Sequence, residues 1–547
     1  MIEVNYNKHT YKINECMKVI DFIKTKLKIE HRNIMACKLF NEVKSLDYVI
    51  DRNCKLELLD TSTSDGNRIY VRGLTFILAK AFNELFPNHK FIVNYSLGHS
   101  LFCEVESFSL KAKDISIIKK KMQEIIDANI SYEKKTLTLE EAMKIYSDLG
   151  REDKVGLLET RMKTHVSMYY CEDYFNYFYG VMPLSTGYTK VFDLKKYENG
   201  LLLMYPRRFK PDVVEENFES KKLFTTFEEY DNMHKLLGIE TVARLNRYIK
   251  EGRGGEVIRI CEALHEKKIA TIADMIAKDR RRRLVLIAGP SSSGKTTFAQ
   301  RLGIQLKVNG IKGVTLSMDN YFVEREKTPK DENGNYDFEC LEAVDLKLFN
   351  EQLKALLSGK EVKLPTFDFK EGKRKYLGNT AKLGENEVLV VEGIHGLNER
   401  FTQAIPRENK FKIYISALTT LNIDDCNRVT TTDTRLLRRI VRDYAFRGHN
   451  PQATIKMWES VRKGEEKYIF PYQDDADVMF NSSMTYEISA LKIFADPLLA
   501  SVDYNSSEFS EAKRLYEFLS YFMPINITEI PNTSILREFI GGGVFYR

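Results

Sequence analysis

One stretch limits what this chain can fold into more than any other: Leu284-Val-Leu-Ile-Ala-Gly-Pro-Ser-Ser-Ser-Gly-Lys-Thr-Thr297. The apolar run Leu284 to Ala288 reads as a strand buried on both faces, the pattern of a parallel sheet covered by helices. It leads straight into Gly289-x4-Gly294-Lys295-Thr296, a Walker A phosphate loop. From Thr296 to Val308, Phe298, Leu302 and Leu306 recur on one helical face. Strand, glycine loop and helix in that order predict an α/β domain with helices on both faces of a parallel sheet. Gly289 and Gly294 free the backbone, so the N–H groups around Ser291, Ser292, Ser293 and Thr297 can turn on to phosphate oxygens. Lys295 brings a point charge to the β- and γ-phosphates, and the Thr296 hydroxyl can ligate Mg2+. The positive end of the following helix adds to the attraction. The chain is expected to bind a nucleotide.

With 547 residues the chain is too long for one core, so several domains are expected. Hydrophobic content of 43% with 29% charged residues is ordinary for a soluble protein. A net charge of +6 is small for this length and does not argue for nucleic acid by itself. The eight cysteines are scattered without a CxxC pair, against a zinc ribbon or disulfide framework and in keeping with a reducing cytoplasm. No apolar run approaches the roughly 20 residues of a membrane span, and no signal peptide is apparent. A cytoplasmic protein without a membrane partner is expected.

The organisation reads in five parts. Residues 1–60 form a small β-rich module, with Ile2 to Tyr6 paired to Thr10 to Ile13 and a short helix over Val19 to Leu27. Residues 61–210 are mixed α+β, opening with a turn at Asp65-Gly66 and a helix from about Val71 to Phe86. A helical linker occupies 211–280 and closes on the basic run Lys278 to Arg283, read as solvated. The α/β domain covers 281–500, and 501–547 is a helical tail that the sequence does not place.

Three further motifs bear on the chemistry. Val314 to Phe322 reads as a strand whose carboxyl end carries Asp319, where open α/β sheets hold ligands. That carboxylate can take the proton of an attacking hydroxyl or organise Mg2+; the structural alternative is a helix cap or turn residue. Val388 to Ile394 is an apolar strand ending in Glu392, a Walker B position reaching the Mg2+ shell. Arg428, Arg435, Arg438, Arg439, Arg442 and Arg447 crowd one helical segment, most of them on one face. Arginines on a closing lid can cover the oxygens of a moving phosphoryl group, and the alternative is a solvated, salt-bridged helix.

Ser317-Met-Asp-Asn-Tyr-Phe322, Glu392-Gly-Ile394, Asp433-Thr-Arg-Leu-x-Arg-Arg-Ile-x-Arg-Asp443 and Ala476-Asp-Val478 resemble the uridine kinase and phosphoribulokinase family over about 284–490. The resemblance implies transfer of the ATP γ-phosphoryl to a primary hydroxyl, the 5′-OH in nucleosides. It implies Asp319 as base, and Arg439, Arg442 and Arg447 as phosphate-holding lid residues. Phe322, Glu339, Phe367 and Arg374 would contact the acceptor. Three places depart from the family pattern, one of them His449, which stands where the last family arginine does. Phe338-Glu-Cys-Leu-Glu342 carries Glu339 where the family's ribose-gripping Asp stands. Phe367-Asp-Phe-Lys-Glu-Gly-Lys-Arg374 carries Gly372 where a base-reading histidine stands, and Phe367 lacks a tyrosine hydroxyl. Uridine specificity is therefore not implied, and another hydroxylated metabolite such as a sugar phosphate stays open.

Residues 1 to about 205 resemble the front of threonyl-tRNA synthetases, a TGS domain followed by the second additional domain that edits mischarged tRNA. The likeness rests on the β-rich start, on Tyr70 to Pro87 and on Pro183-Leu-Ser-Thr-Gly187. Arg72, Phe76, Tyr177 and Val181 stand at the editing positions, and none can bind metal or shuttle protons. A non-editing module for binding or assembly is expected. RNA contact stays open, although no dense Lys/Arg stripe supports it. The expected reading is an ATP- and Mg2+-dependent kinase with a small-molecule acceptor, probed against a nucleotide-gated RNA-binding regulator, and a homo-oligomer is expected.

Overall fold

The computed structural model describes residues 1–216, 220–330, 334, 336–368 and 371–545. The Walker strand Leu284–Ala288 is central in a five-stranded sheet ordered Lys312–Ser317, Glu387–Glu392, Leu284–Ala288, Lys410–Ser416 and Val478–Asn481. Every pairing in it is parallel. Alternate side chains of the central strand supply two cores. Val285 and Ile287 meet Phe298, Leu302 and Leu306 of the phosphate-loop helix Lys295–Val308, while Leu284 and Leu286 meet Leu316, Phe349, Leu353 and Phe401 on the other face. This is the expected α/β architecture.

The stretch expected as a linker is built into that architecture instead. Helices Lys221–Leu237, Val242–Lys250 and Gly254–Lys278 fill it. Ile258, Cys261, Ile269, Ile272 and Ile276 recur at helical spacing and share the core of Phe298 and Leu302. Gly254 and Gly255 open the third of these helices.

The front of the chain carries its own sheets. Strands His9–Ile13, Ile2–Tyr6, Cys54–Asp60, Ile34–Leu39 and Glu42–Lys44 lie side by side in that order, and the expected hairpin pairs Ile2 with Ile13. The following helix begins at Ser64 and not near Val71. The Thr63 hydroxyl accepts the Gly66 amide at 3.0 Å, so the residues read as a turn form the first helical turn. A four-stranded antiparallel sheet, Asp193–Tyr197, Gly200–Met204, Ser100–Val105 and Phe91–Leu97, packs against that helix.

Front and rear halves interlock. Val93 donates its amide to the Asp425 carbonyl at 2.8 Å, Asn422 returns a side-chain bond to the Val93 carbonyl at 3.0 Å, and Lys154 lies 3.0 Å from both Asp424 and Asp425. The tail is also docked. Leu515, Phe518 and Leu519 of helix Phe509–Leu519 enter the rear core, Arg514 reaches Asp433 at 3.0 Å, and Glu511 takes Arg68 of the front helix at 2.7 Å. Among the described residues no helix is long and apolar enough to cross a membrane.

Candidate active site

The phosphate loop turns sharply between strand and helix, with Ser292 at φ +60° and Gly294 at φ +84°. Gly294 is needed twice over, since a Cβ there would also lie 2.5 Å from Ile535. The hydroxyls of Ser292 and Ser293 are buried and have no hydrogen-bond partner among the described residues. Donors left unmatched in a concave loop fit a phosphate chain. Lys295 curls back over the loop, its Nζ donating to the carbonyls of Gly289 at 2.9 Å and Pro290 at 3.1 Å.

Asp319 stands just past the strand Lys312–Ser317, in the short 3-10 turn Met318–Tyr321 rather than in the strand itself. The walls of the cleft desolvate its carboxyl and raise it above the ordinary value, opposed by Lys295 and Arg447. Water still reaches this side chain, so the shift is screened. Glu392 ends the next strand as expected and is pushed up to about 7, first by burial and then by Asp319 and Glu538, with Lys295 opposing. Glu339 is likewise pushed up to about 7 by burial and by Glu465, while Arg439 and Lys295 pull it down. Lys295 is itself lowered by burial, against Glu392, Asp319 and Glu538. These groups feel one another's charge, so the structure brings them to one cleft.

The arginine helix Thr431–Arg447 divides its cations between two tasks. Arg435 and Arg438 are buried in ion pairs with Glu465 and Glu487. They grip the loop backbone, Arg435 at the Ser291 carbonyl (2.9 Å) and Arg438 at the Ser292 carbonyl (3.2 Å). This corrects the expectation that most of the cluster forms a closing lid. Arg439 donates to the Ser291 hydroxyl at 2.8 Å, and Arg447 lies near enough to Asp319 to lower it. Arg442 is turned on to Asp443 at 2.8 Å and has no bond to the loop among the described residues.

On the acceptor side, the Phe322 and Phe367 rings meet edge to face at 5.7 Å, and Asn320 accepts the Phe367 amide at 3.3 Å. Arg374 is held by Asp345 at 3.0 Å. Phe369 and Lys370 of that motif lie outside the described residues. Gly372 is at φ +69°, and a Cβ on it would lie 2.8 Å from the Arg325 side chain. Arg325 thus covers the position where the resembled family reads a base.

Sequence reasoning missed Glu465 and Glu538. Glu465 takes the Ser291 amide at 3.0 Å, and Glu538 takes the Thr297 hydroxyl at 2.8 Å. Both come from segments far along the chain, with no local pattern to mark them. In the front half, Arg72 donates to the Val181 carbonyl and lies over the Tyr179 ring, while Phe76 packs on Tyr132, Tyr174 and Phe178. Side chains fill that region.

A parallel sheet, a Walker loop at its centre and an arginine helix gripping that loop define a P-loop kinase domain. The Phosphoribulokinase / Uridine kinase family matches residues 284–489. The uridine kinase of Mycoplasma genitalium is 32% identical over 207 residues, covering 38% of this chain and 88% of that protein. Uridine-cytidine kinase B of Dictyostelium discoideum is 28% identical over 197 residues, 36% of this chain and 73% of that one. The chain belongs to the phosphoribulokinase / uridine kinase family through this region, and it is a phosphotransferase with a hydroxyl acceptor.

Proposed function

We propose that this protein transfers the γ-phosphoryl group of ATP to the 5′-hydroxyl of a nucleoside. The observation that carries the reading is the convergence of Asp319, Lys295, Glu392, Arg439 and Arg447 on one cleft beside the phosphate loop. Lys295 and the loop amides hold the triphosphate. Asp319 accepts the acceptor's proton as its oxygen bonds to the γ-phosphorus, and the bond to the bridging oxygen breaks to release ADP. Arg439 and Arg447 face the charge of the moving group. Glu339 orients the acceptor beside Phe322 and Phe367, with Arg374 bracing this wall through Asp345.

Thr296 and Glu392 would hold Mg2+, whose charge offsets that of the phosphates. One hydroxyl and one carboxylate suit this ion, which keeps waters and takes phosphate oxygens as ligands. Burial, with Asp319 and Glu538 adding to it, pushes Glu392 up to about 7, and the charge of those carboxylates favours a cation there.

Gly372 and Arg325 favour a second reading for the acceptor. A guanidinium over a left-handed glycine replaces an imidazole, which suits a hydroxylated metabolite bearing an anion, such as a sugar phosphate. We take the front half as a synthetase-like module that does not edit, since Arg72 and Phe76 supply no metal ligand. The test is ATP consumption across nucleosides and sugar phosphates, with Asp319→Asn as control. Turnover on one acceptor that the substitution abolishes supports the reading; full turnover in the variant overturns the role of Asp319.

A further inference from the structure

Residues 534–541 lie on the phosphate loop. Ser534, Ile535, Leu536 and Phe539 are buried there. Ile535 packs on Gly294, and the Arg438 guanidinium stands 4.8 Å over the Phe539 ring. Arg537 ties the segment to the carbonyls of Ile527 at 3.0 Å and Ile530 at 2.6 Å. The docked segment aims the Glu538 carboxylate at the first turn of the phosphate-loop helix. One of its oxygens accepts from the Thr297 hydroxyl at 2.8 Å and from the Thr297 amide at 3.3 Å. Its charge reaches Lys295 and Glu392 as well.

The donors at the start of that helix are the ones a phosphate chain takes up, and a carboxylate satisfies them in the same way. Two anions cannot share one turn without repulsion. We propose that Glu538 is an intramolecular competitor for the phosphate seat, a residue that sets the affinity of this chain for nucleotide. The idea rests on the nucleotide-binding reading of the site. Ile535 and Phe539 keep the main chain docked while the Glu538 side chain is only half-buried, so a bound nucleotide turns the carboxylate aside by rotation about its own bonds. The docked segment then remains as a wall of the site.

The test is calorimetric titration of ADP and ATP, with Mg2+, into the full chain and into Glu538→Gln and Glu538→Asp. Glu538→Gln removes the charge and is expected to bind both nucleotides about tenfold more tightly, the scale of one charge-assisted contact. Glu538→Asp withdraws the carboxylate by one methylene and is expected to tighten binding by a smaller factor, which keeps the test available if the first variant does not fold. Unchanged or weaker binding in the variants, with the parent protein binding normally, overturns the competition and leaves the nucleotide site standing. Failure of all three proteins to bind either nucleotide overturns both.

Discussion

The Thr296 hydroxyl donates to the Glu392 carboxylate at 3.0 Å, joining the first turn of the phosphate-loop helix to the end of the neighbouring strand. The register that makes this bond is set in the sheet, where Glu392 lies opposite Ile287 of the Walker strand. The proposed Mg2+ seat and the sheet pairing therefore meet in one contact.

Glu392 makes stability depend on pH. Its carboxyl is raised to about 7 in the folded protein, so folding holds the proton more tightly than the unfolded chain does. The stabilisation is complete below the ordinary carboxyl range and is lost as pH rises through about 7. Glu392→Gln, which is neutral throughout, should melt higher than the parent at pH 8, by about 1–2 kcal/mol after allowing for partial exposure, and no higher near pH 4. Melting curves at the two pH values check this.

Arg438 is expected to be the costliest arginine of its helix to lose. It is buried, paired with Glu487, and bonded to the Ser292 and Ser482 carbonyls. Arg438→Met leaves Glu487 without its partner and should destabilise by about 3–5 kcal/mol in urea unfolding. Exposed Arg447, changed to Met, should cost little stability and lower turnover instead.

The two arginines show where the sequence is legible and where it is not. The Walker strand and loop follow from apolar runs and glycine spacing, which are local. Asp319 and Glu392 are found at strand ends because parallel sheets put their ligands there. Helical spacing groups Arg435, Arg438, Arg439 and Arg442, but their division depends on Glu465 and Glu487, which come from later helices. Glu538 is illegible for the same reason: its meaning arises only when residues 534–541 return to the loop. The helix start at Ser64 was hidden by Asp65-Gly66, a turn signal overridden by the Thr63 cap.

Asp319 offers a cleaner test of chemistry than of folding. Its side chain is exposed, so Asp319→Asn should leave unfolding nearly unchanged. Turnover should fall about 10²- to 10⁴-fold, the usual contribution of a general base, with KM for ATP little altered. Steady-state rates at saturating acceptor measure it.

The acceptor wall can be probed by restoring what the family resemblance leads one to expect there. Gly372→His puts a Cβ on a residue at φ +69°, where L side chains are strained, and brings it against Arg325 at 2.8 Å. The substitution should therefore destabilise by about 1–3 kcal/mol without raising turnover on pyrimidine nucleosides above the parent's. Gly372→Ala should carry the backbone part of that cost alone, and adding Arg325→Ala to Gly372→His should recover the part owed to the clash. Urea unfolding of the three proteins separates strain from crowding. A Gly372→His protein of parental stability that gained activity on uridine over the parent would show that the wall reads a base after all, and would set aside the sugar-phosphate reading.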